Sequence, residues 1–188
     1  MKSSVVYYLP GWAGQVGTGL GRALLDRGLG VTGRETRGEF KDLPFTAQVE
    51  AVKEDLLSHF WKPDSLVVAN SFGGYLFLHA QASLAPYPGR VLLLSPIVGG
   101  FADEETGRFF SPPYEDKLVK LAEAGQLVAP RCCEVHTGSE DWQSHPTTLV
   151  YFFQLLGLKP QIAEGRGHML GADYVAPLLD RWLHGASI

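Results

Sequence analysis

Leu66-Val67-Val68-Ala69-Asn70-Ser71-Phe72-Gly73-Gly74-Tyr75 is an apolar run that meets a serine and turns at once into a helix-forming stretch. Small residues, Ala69 and Gly73, stand two places before and two places after the serine. This is the G-x-S-x-G pattern with alanine in its first place. A serine on a strained strand-to-helix turn lifts its hydroxyl above the sheet edge. Larger side chains at the flanking positions would collide with the neighbouring strand or helix. The helix that follows presents free N–H groups and a partial positive charge at its start. The Phe72 N–H is thereby aimed at the place where a negative oxygen would form beside Ser71. Five common residue types also meet by chance, so the pattern gains its weight from the strand before it and the helix after it.

Outward from this point, short apolar runs alternate with longer amphipathic ones. Residues 5–9 are β-branched and aromatic and stop at Pro10-Gly11. A helix is predicted over 20–27, closed by Gly28 and Gly30, and a strand over 31–36. Val49, Val52, Leu56 and Phe60 recur at helical spacing and predict a helix over 46–60. Further strands are predicted over 65–69, 90–94, 131–136 and 160–163, with helices over 72–82, 147–156 and 174–184. Six strands alternating with helices imply a parallel sheet covered on both faces, a three-layer α/β/α sandwich. Residues 97–130 break the rhythm with Gly99-Gly100, Asp103-Glu104-Glu105, Phe109-Phe110, Pro112-Pro113 and a helix near 114–124. Such an insertion is either a small lid or wall over a substrate, or a crossover helix with a long lead-in loop. The acidic run within it reads as a solvated loop.

The length of 188 residues fits a single domain over 1–188. Size scaling has about 70% of the unfolded chain's surface buried on folding, enough for a core without a disulfide or metal. Hydrophobic residues make up 45% and charged residues 19%, which argues against disorder. The net charge of −4 weakens any case for nucleic acid or an anionic membrane as partner. No apolar stretch is long enough for a membrane span, and Met1-Lys2-Ser3-Ser4 is too short to open a signal peptide. Cys132 and Cys133 are adjacent and do not normally bridge each other, so a reducing, cytoplasmic compartment is expected. Cysteines and histidines lack zinc-ligand spacing, and no metal or cofactor is expected. Oligomeric state is not indicated.

A serine hydroxyl is a poor nucleophile at neutral pH. It needs an imidazole to take its proton and a carboxylate to orient the imidazole. In the serine-elbow arrangement the three follow in the order serine, acid, histidine. Thr137-Gly138-Ser139-Glu140-Asp141 forms the loop after the strand at 131–136, and Asp141 is the candidate acid, with Glu140 as its neighbouring alternative. Gly165-Arg166-Gly167-His168-Met169 follows the strand at 160–163, and His168 is the candidate base. His59, His79, His136, His145 and His184 read as packing, helix-end or surface histidines, with His145 also able to line a pocket. Trp142, Phe109, Phe110 and Tyr114 are candidate substrate-pocket residues, since aromatics near the loops favour an apolar or aromatic acyl group.

Taken together, the elbow, the order of Ser71, Asp141 and His168, and Tyr8-Leu9-Pro10-Gly11-Trp12 after the first strand resemble an α/β-hydrolase of the small, nearly lidless esterase type. The resemblance covers nearly the whole chain. It implies a shortened version of that fold, with six strands in the order 2-1-3-4-5-6. It implies a second oxyanion N–H from Trp12, beside that of Phe72. Pro10 stands where the family usually has histidine, and Ala69 where glycine is commoner. The activity implied is hydrolysis of a small carboxylic ester, or thioester, through an acyl-enzyme.

Two other readings compete. The glycines at 11, 14, 17, 19 and 21, with Glu35 downstream, resemble a dinucleotide-binding turn, but Arg22 stands where its third glycine is due. A hydrolase fold can also serve as a non-catalytic binding module, though such a module has no need to keep all three candidate residues. A phosphate-loop NTPase is excluded by the absence of a Gly-Lys-Ser/Thr signature.

Overall fold

The computed structural model describes residues 4–103 and 106–185. Glu104 and Glu105 of the acidic run, Met1-Lys2-Ser3 and the last three residues lie outside the described part.

Six parallel strands form the main sheet: β1 (Val5–Leu9), β2 (Gly30–Gly33), β3 (Leu66–Asn70), β4 (Arg90–Leu94), β7 (Cys132–Gly138) and β8 (Gln161–Ala163). Their order is β2-β1-β3-β4-β7-β8. With the two strands of a separate hairpin left out of the count, this is the expected 2-1-3-4-5-6. The hairpin, β5 (Phe101–Asp103) and β6 (Arg108–Phe110), is antiparallel and lies in the 97–130 insertion. The helices are α1 (Gly19–Leu25), α2 (Gly38–Asp42), α3 (Phe45–Asp55), α4 (Phe72–Gln81), α5 (Lys117–Glu123), α6 (Pro146–Leu155) and α7 (Ala172–His184). Among them none is long and apolar enough to cross a membrane.

Alternation along each strand splits the core into two layers. Tyr7, Leu9, Val67, Ala69, Val91, Leu93 and Val135 face α3, α4 and α6. Val6, Tyr8, Leu66, Val68, Leu92 and Leu94 face α1 and α7, where Leu24, Leu178, Leu179 and Trp182 meet them. The central helix α4 is buried along its whole length, which is why its sequence is apolar on every side.

Some predicted elements change at their ends, each for a local reason. β2 stops at Gly33 rather than running to residue 36: a Cβ at Gly33 would sit 1.8 Å from the Tyr8 carbonyl oxygen, and Thr36 turns its hydroxyl to Gly11 instead. The helix predicted over 46–60 is α-helical to Asp55 and continues as one π turn, Leu56–Phe60. The helix expected from residue 114 begins at Lys117, because Tyr114 has a left-handed backbone (φ 60°). β7 runs on to Gly138. The β5–β6 hairpin and the short α2 have no counterpart in the sequence reading.

Candidate active site

Ser71 sits between β3 and α4 with φ 50° and ψ −121°, a conformation a non-glycine residue adopts only when its surroundings enforce it. The enforcement is visible. The Ser71 N–H donates to the Leu94 carbonyl (3.0 Å), and the Ser71 carbonyl accepts from the N–H groups of Tyr75 (3.3 Å) and Ile97 (3.2 Å). The turn is thus fastened to the end of β4. The small residues beside it are explained by contact. A Cβ on Gly73 would lie 2.0 Å from the Leu9 carbonyl oxygen, and Ala69 is fully buried.

The structure brings Ser71, His168 and Asp141 into one hydrogen-bonded line. Ser71 Oγ is 2.8 Å from His168 Nε2, and His168 Nδ1 is 2.9 and 3.0 Å from the two oxygens of Asp141. Asp141 is only 1% exposed. Beyond the imidazole it accepts from the N–H groups of Gln143 (3.0 Å) and Ser144 (2.8 Å) and from Thr137 Oγ1 (3.1 Å). Burial pushes its pKa up, but the bonds from His168 and the Ser144 N–H outweigh burial and hold the carboxyl below the usual aspartate range. Glu140, the neighbouring alternative, is exposed.

Two loops carry the acid and the imidazole, and they are sewn together. The Ser139 N–H donates to the Ala163 carbonyl, the Glu140 N–H to the Arg166 carbonyl (2.8 Å), and the Gly165 N–H to Ser139 Oγ (2.8 Å). Gly138 makes the approach possible, since a Cβ there would fall 1.9 Å from the Arg166 oxygen. Arg166 in turn holds Asp173 at the start of α7 through a paired contact.

The Gly11 loop closes the other side of the serine. A Cβ on Gly11 would meet Ser71 Cβ at 3.2 Å and Oγ at 3.7 Å. Thr36 holds this loop: its hydroxyl donates to the Gly11 carbonyl and accepts from the Gly14 N–H (2.9 Å). Trp12 follows Gly11, and its ring meets the edge of Phe72 at 5.0 Å. Among the described residues, neither the Trp12 nor the Phe72 N–H donates to a backbone carbonyl. No local sequence pattern marks Thr36, Thr137 or Ser144 as supports of the site. Only the close packing of Gly11 and Gly138, each beside a strand end, hints at them.

The insertion forms an aromatic row over the site. Trp12 meets Phe110 at 6.1 Å, Phe110 meets Phe101 at 5.3 Å, and Phe101 meets Trp142 at 5.4 Å. The hairpin therefore bridges the Gly11 loop and the Asp141 loop. Phe109 is a correction to the expected pocket set: it pairs with Ala102, alternates to the opposite face from Phe110, and is 80% exposed. Tyr114 lies further along the mouth, 6.1 Å from Phe45. A cavity of about 240 Å³ opens under the hairpin between Gly99-Gly100-Phe101 and Trp142, His145 and Thr148.

The remaining histidines stay apart from this line. His136 is buried and bonds Tyr174 (2.8 Å), and His79 is buried between Phe45 and Tyr75. His59 and His184 are exposed near helix ends, and His145 is exposed on the rim of the cavity. Gly11, Gly14 and Gly21 of the 11–21 loop serve close approach, and Gly19 a positive φ. Gly21 leaves no room for a Cβ beside the Val16 oxygen, and Glu35 already accepts from the Val16 N–H and Arg37.

No family model and no curated protein matches the chain. Solved structures do. A carboxylesterase structure from the ammonia-oxidizing thaumarchaeon Nitrososphaera gargenis superposes with a TM-score of 0.66 at 12% identity, over 99% of this chain and 92% of that one. Est1E from Butyrivibrio proteoclasticus gives 0.67 at 14% identity, over 98% and 88%. The ydeN gene product of B. subtilis gives 0.65 at 13% identity, over 97% and 100%. At such low identity the likeness speaks for the architecture, and with the sheet order and the serine turn it leads to one conclusion: the chain has the α/β-hydrolase fold.

Proposed function

We propose that this chain is a serine hydrolase that transfers the acyl group of a small carboxylic ester, or thioester, to water. The observation that supports this reading is the unbroken line from Ser71 Oγ through His168 to a buried, fully bonded Asp141, beneath a serine held in left-handed strain. Ser71 Oγ attacks the carbonyl carbon while His168 Nε2 takes its proton. The oxyanion that forms is met by the N–H groups of Phe72 and Trp12. His168 then gives the proton to the leaving alcohol as the ester bond breaks, leaving an acyl-serine. Water, deprotonated by His168, attacks that ester and returns Ser71. Asp141 keeps the Nδ1 proton in place, so that Nε2 is the basic nitrogen, and stabilises the imidazolium.

The test is covalent labelling with a fluorophosphonate, with the modified residue located by peptide mass. A triad serine reacts stoichiometrically, and unactivated serines do not. Labelling at Ser71, lost in Ser71→Ala and His168→Ala, is expected. Both variants should lose several orders of magnitude in ester turnover while folding normally. A well-folded wild-type protein that resists the reagent would overturn the reading and favour a non-catalytic binding role.

A further inference from the structure

On the reading of Ser71 as nucleophile, we propose that Lys41 and Lys117 recognise a negative charge on the substrate. The site then takes an ester whose apolar body ends in a carboxylate.

The argument begins with an aromatic strip that starts one residue past the serine. Phe72 meets Trp12 at 5.0 Å and Phe45 at 6.3 Å, and Phe45 meets Tyr114 at 6.1 Å. The two ends of the strip are open: Trp12 is 52% and Tyr114 57% exposed, although both rings pack against others. Each end carries a lysine. Lys41 Nζ lies 5.2 Å from the Trp12 ring centre and Lys117 Nζ 5.6 Å from that of Tyr114. Both lysines are exposed, and among the described residues neither forms an ion pair.

Of the nearby acids, Asp116 and Glu35 are paired with cations, whereas Glu115, Glu39 and Asp42 keep their full charge. Asp116 pairs with Lys120 (3.2 Å), Glu115 accepts from Ser111 (2.6 Å), and Glu35 binds Arg37 (2.9 Å). Glu39 and Asp42 share α2 with Lys41 without pairing to it.

The turns that present the lysines are anchored from below. The buried Gln48 donates to the carbonyls of Lys41 (3.1 Å) and Leu43 (3.0 Å). Fully buried Tyr75 donates to the Pro113 carbonyl (2.8 Å), just before Tyr114 takes its left-handed backbone. Two cations without an ion pair stand over the exposed rings of Trp12 and Tyr114, and buried Phe72 and Phe45 join those rings to the wall beside Ser71, a rim whose chemistry suits an apolar, anionic molecule.

The test compares mono(4-nitrophenyl) glutarate with 4-nitrophenyl pentanoate, esters of equal chain length that differ in terminal charge. At low salt the anionic ester is expected to show a kcat/KM about tenfold higher, with the advantage shrinking as salt is raised. In K41Q/K117Q the ratio should fall to about one, and in K41E/K117E it should invert. Binding of monobenzyl glutarate and benzyl pentanoate to Ser71→Ala, followed by tryptophan fluorescence, repeats the comparison without turnover. Tighter binding of the anion with no hydrolysis of either ester by the wild type would sink the hydrolase reading and keep this one. Equal binding of the pair, or an anion preference untouched in K41Q/K117Q, would overturn this proposal whether or not Ser71 reacts.

Discussion

Asp141 and Trp142 are neighbours in the chain, yet they belong to opposite regions of the molecule. Asp141 is sealed beneath the site, with five hydrogen-bond contacts from four residues fixing its two oxygens. Trp142 looks outward, half-buried against Phe101 at the end of a hairpin. The same division runs through the rest of the site. The cradle around Ser71 is set by backbone bonds and by glycines that leave no room for a side chain. The rim, from Trp12 through Phe110 to Trp142, is set by ring contacts and by the pairing of one short hairpin. Cradles of this kind fix charge and geometry before substrate arrives, which is what acyl transfer needs. Rims held by rings can change partners, which suits selection among substrates.

The largest test of this contrast sets the two neighbours against each other. Asp141→Asn should lower kcat by about ten-thousandfold, because an amide favours the wrong imidazole tautomer while leaving the geometry intact. Trp142→Ala should change KM by less than about tenfold with little effect on kcat, as removal of uniform binding does. Steady-state kinetics on a chromogenic ester reads both. A kcat collapse in Trp142→Ala would mean that the rim takes part in the chemistry.

The elbow, the acid and imidazole loops and most of the rim's aromatics were legible in the sequence, whereas the hairpin that arranges the rim and the side chains that brace the cradle were not, for a physical reason. Gly73 and Gly138 are demanded by backbone approaches beside the functional groups, and Ala69 is fully buried, so they leave a local pattern. Asp141 and His168 follow strand ends, where a parallel sheet gathers its loops. The β5–β6 hairpin depends on a three-residue pairing, Phe101 with Phe110 and Asp103 with Arg108, which no strand-length alternation announces. Phe109 and Phe110 are identical by composition. Only the register of that hairpin sends one to the aromatic row and the other to solvent. Thr36 is similarly silent, because its partners Gly11 and Gly14 lie more than twenty residues upstream.

An intermediate effect concerns the stability of the helix that follows Ser71. His79 is buried in α4, edge-on to Phe45 and Tyr75. Burial, aided by the charge of Lys117, pushes its pKa down to about 3. The folded state therefore keeps His79 neutral at pH values where the unfolded chain protonates it near 6.5. Stability from this group is full above that unfolded value and declines as pH falls toward about 3, by up to about 1.4 kcal/mol per pH unit. Asp141, whose folded pKa is lowered, contributes stability above its ordinary aspartate value and loses it only at lower pH. Denaturant unfolding between pH 6 and pH 4 reads His79 together with His136, whose pKa burial also lowers, so the histidine's own share is the difference between wild type and variant. His79→Gln should flatten the slope there, and an unchanged slope would remove His79 from the account.

The smallest expected effect is the most informative about the rim. Phe110 touches Trp12 on one side and Phe101 on the other, so it joins the Gly11 loop to the hairpin. Phe110→Ala removes both contacts without reaching Ser71, His168 or Asp141. If the rim only selects substrate, the variant should label with fluorophosphonate at close to the wild-type rate and shift KM a few-fold, most for esters with bulky apolar acyl groups. Its global stability should fall by no more than about 1 kcal/mol, since the ring is half-buried and its row lies outside the main sheet. A loss of labelling would instead show that the hairpin holds Trp12, and with it the proposed second oxyanion N–H, in position. The boundary between the two regions would then run through Phe110 rather than between Asp141 and Trp142.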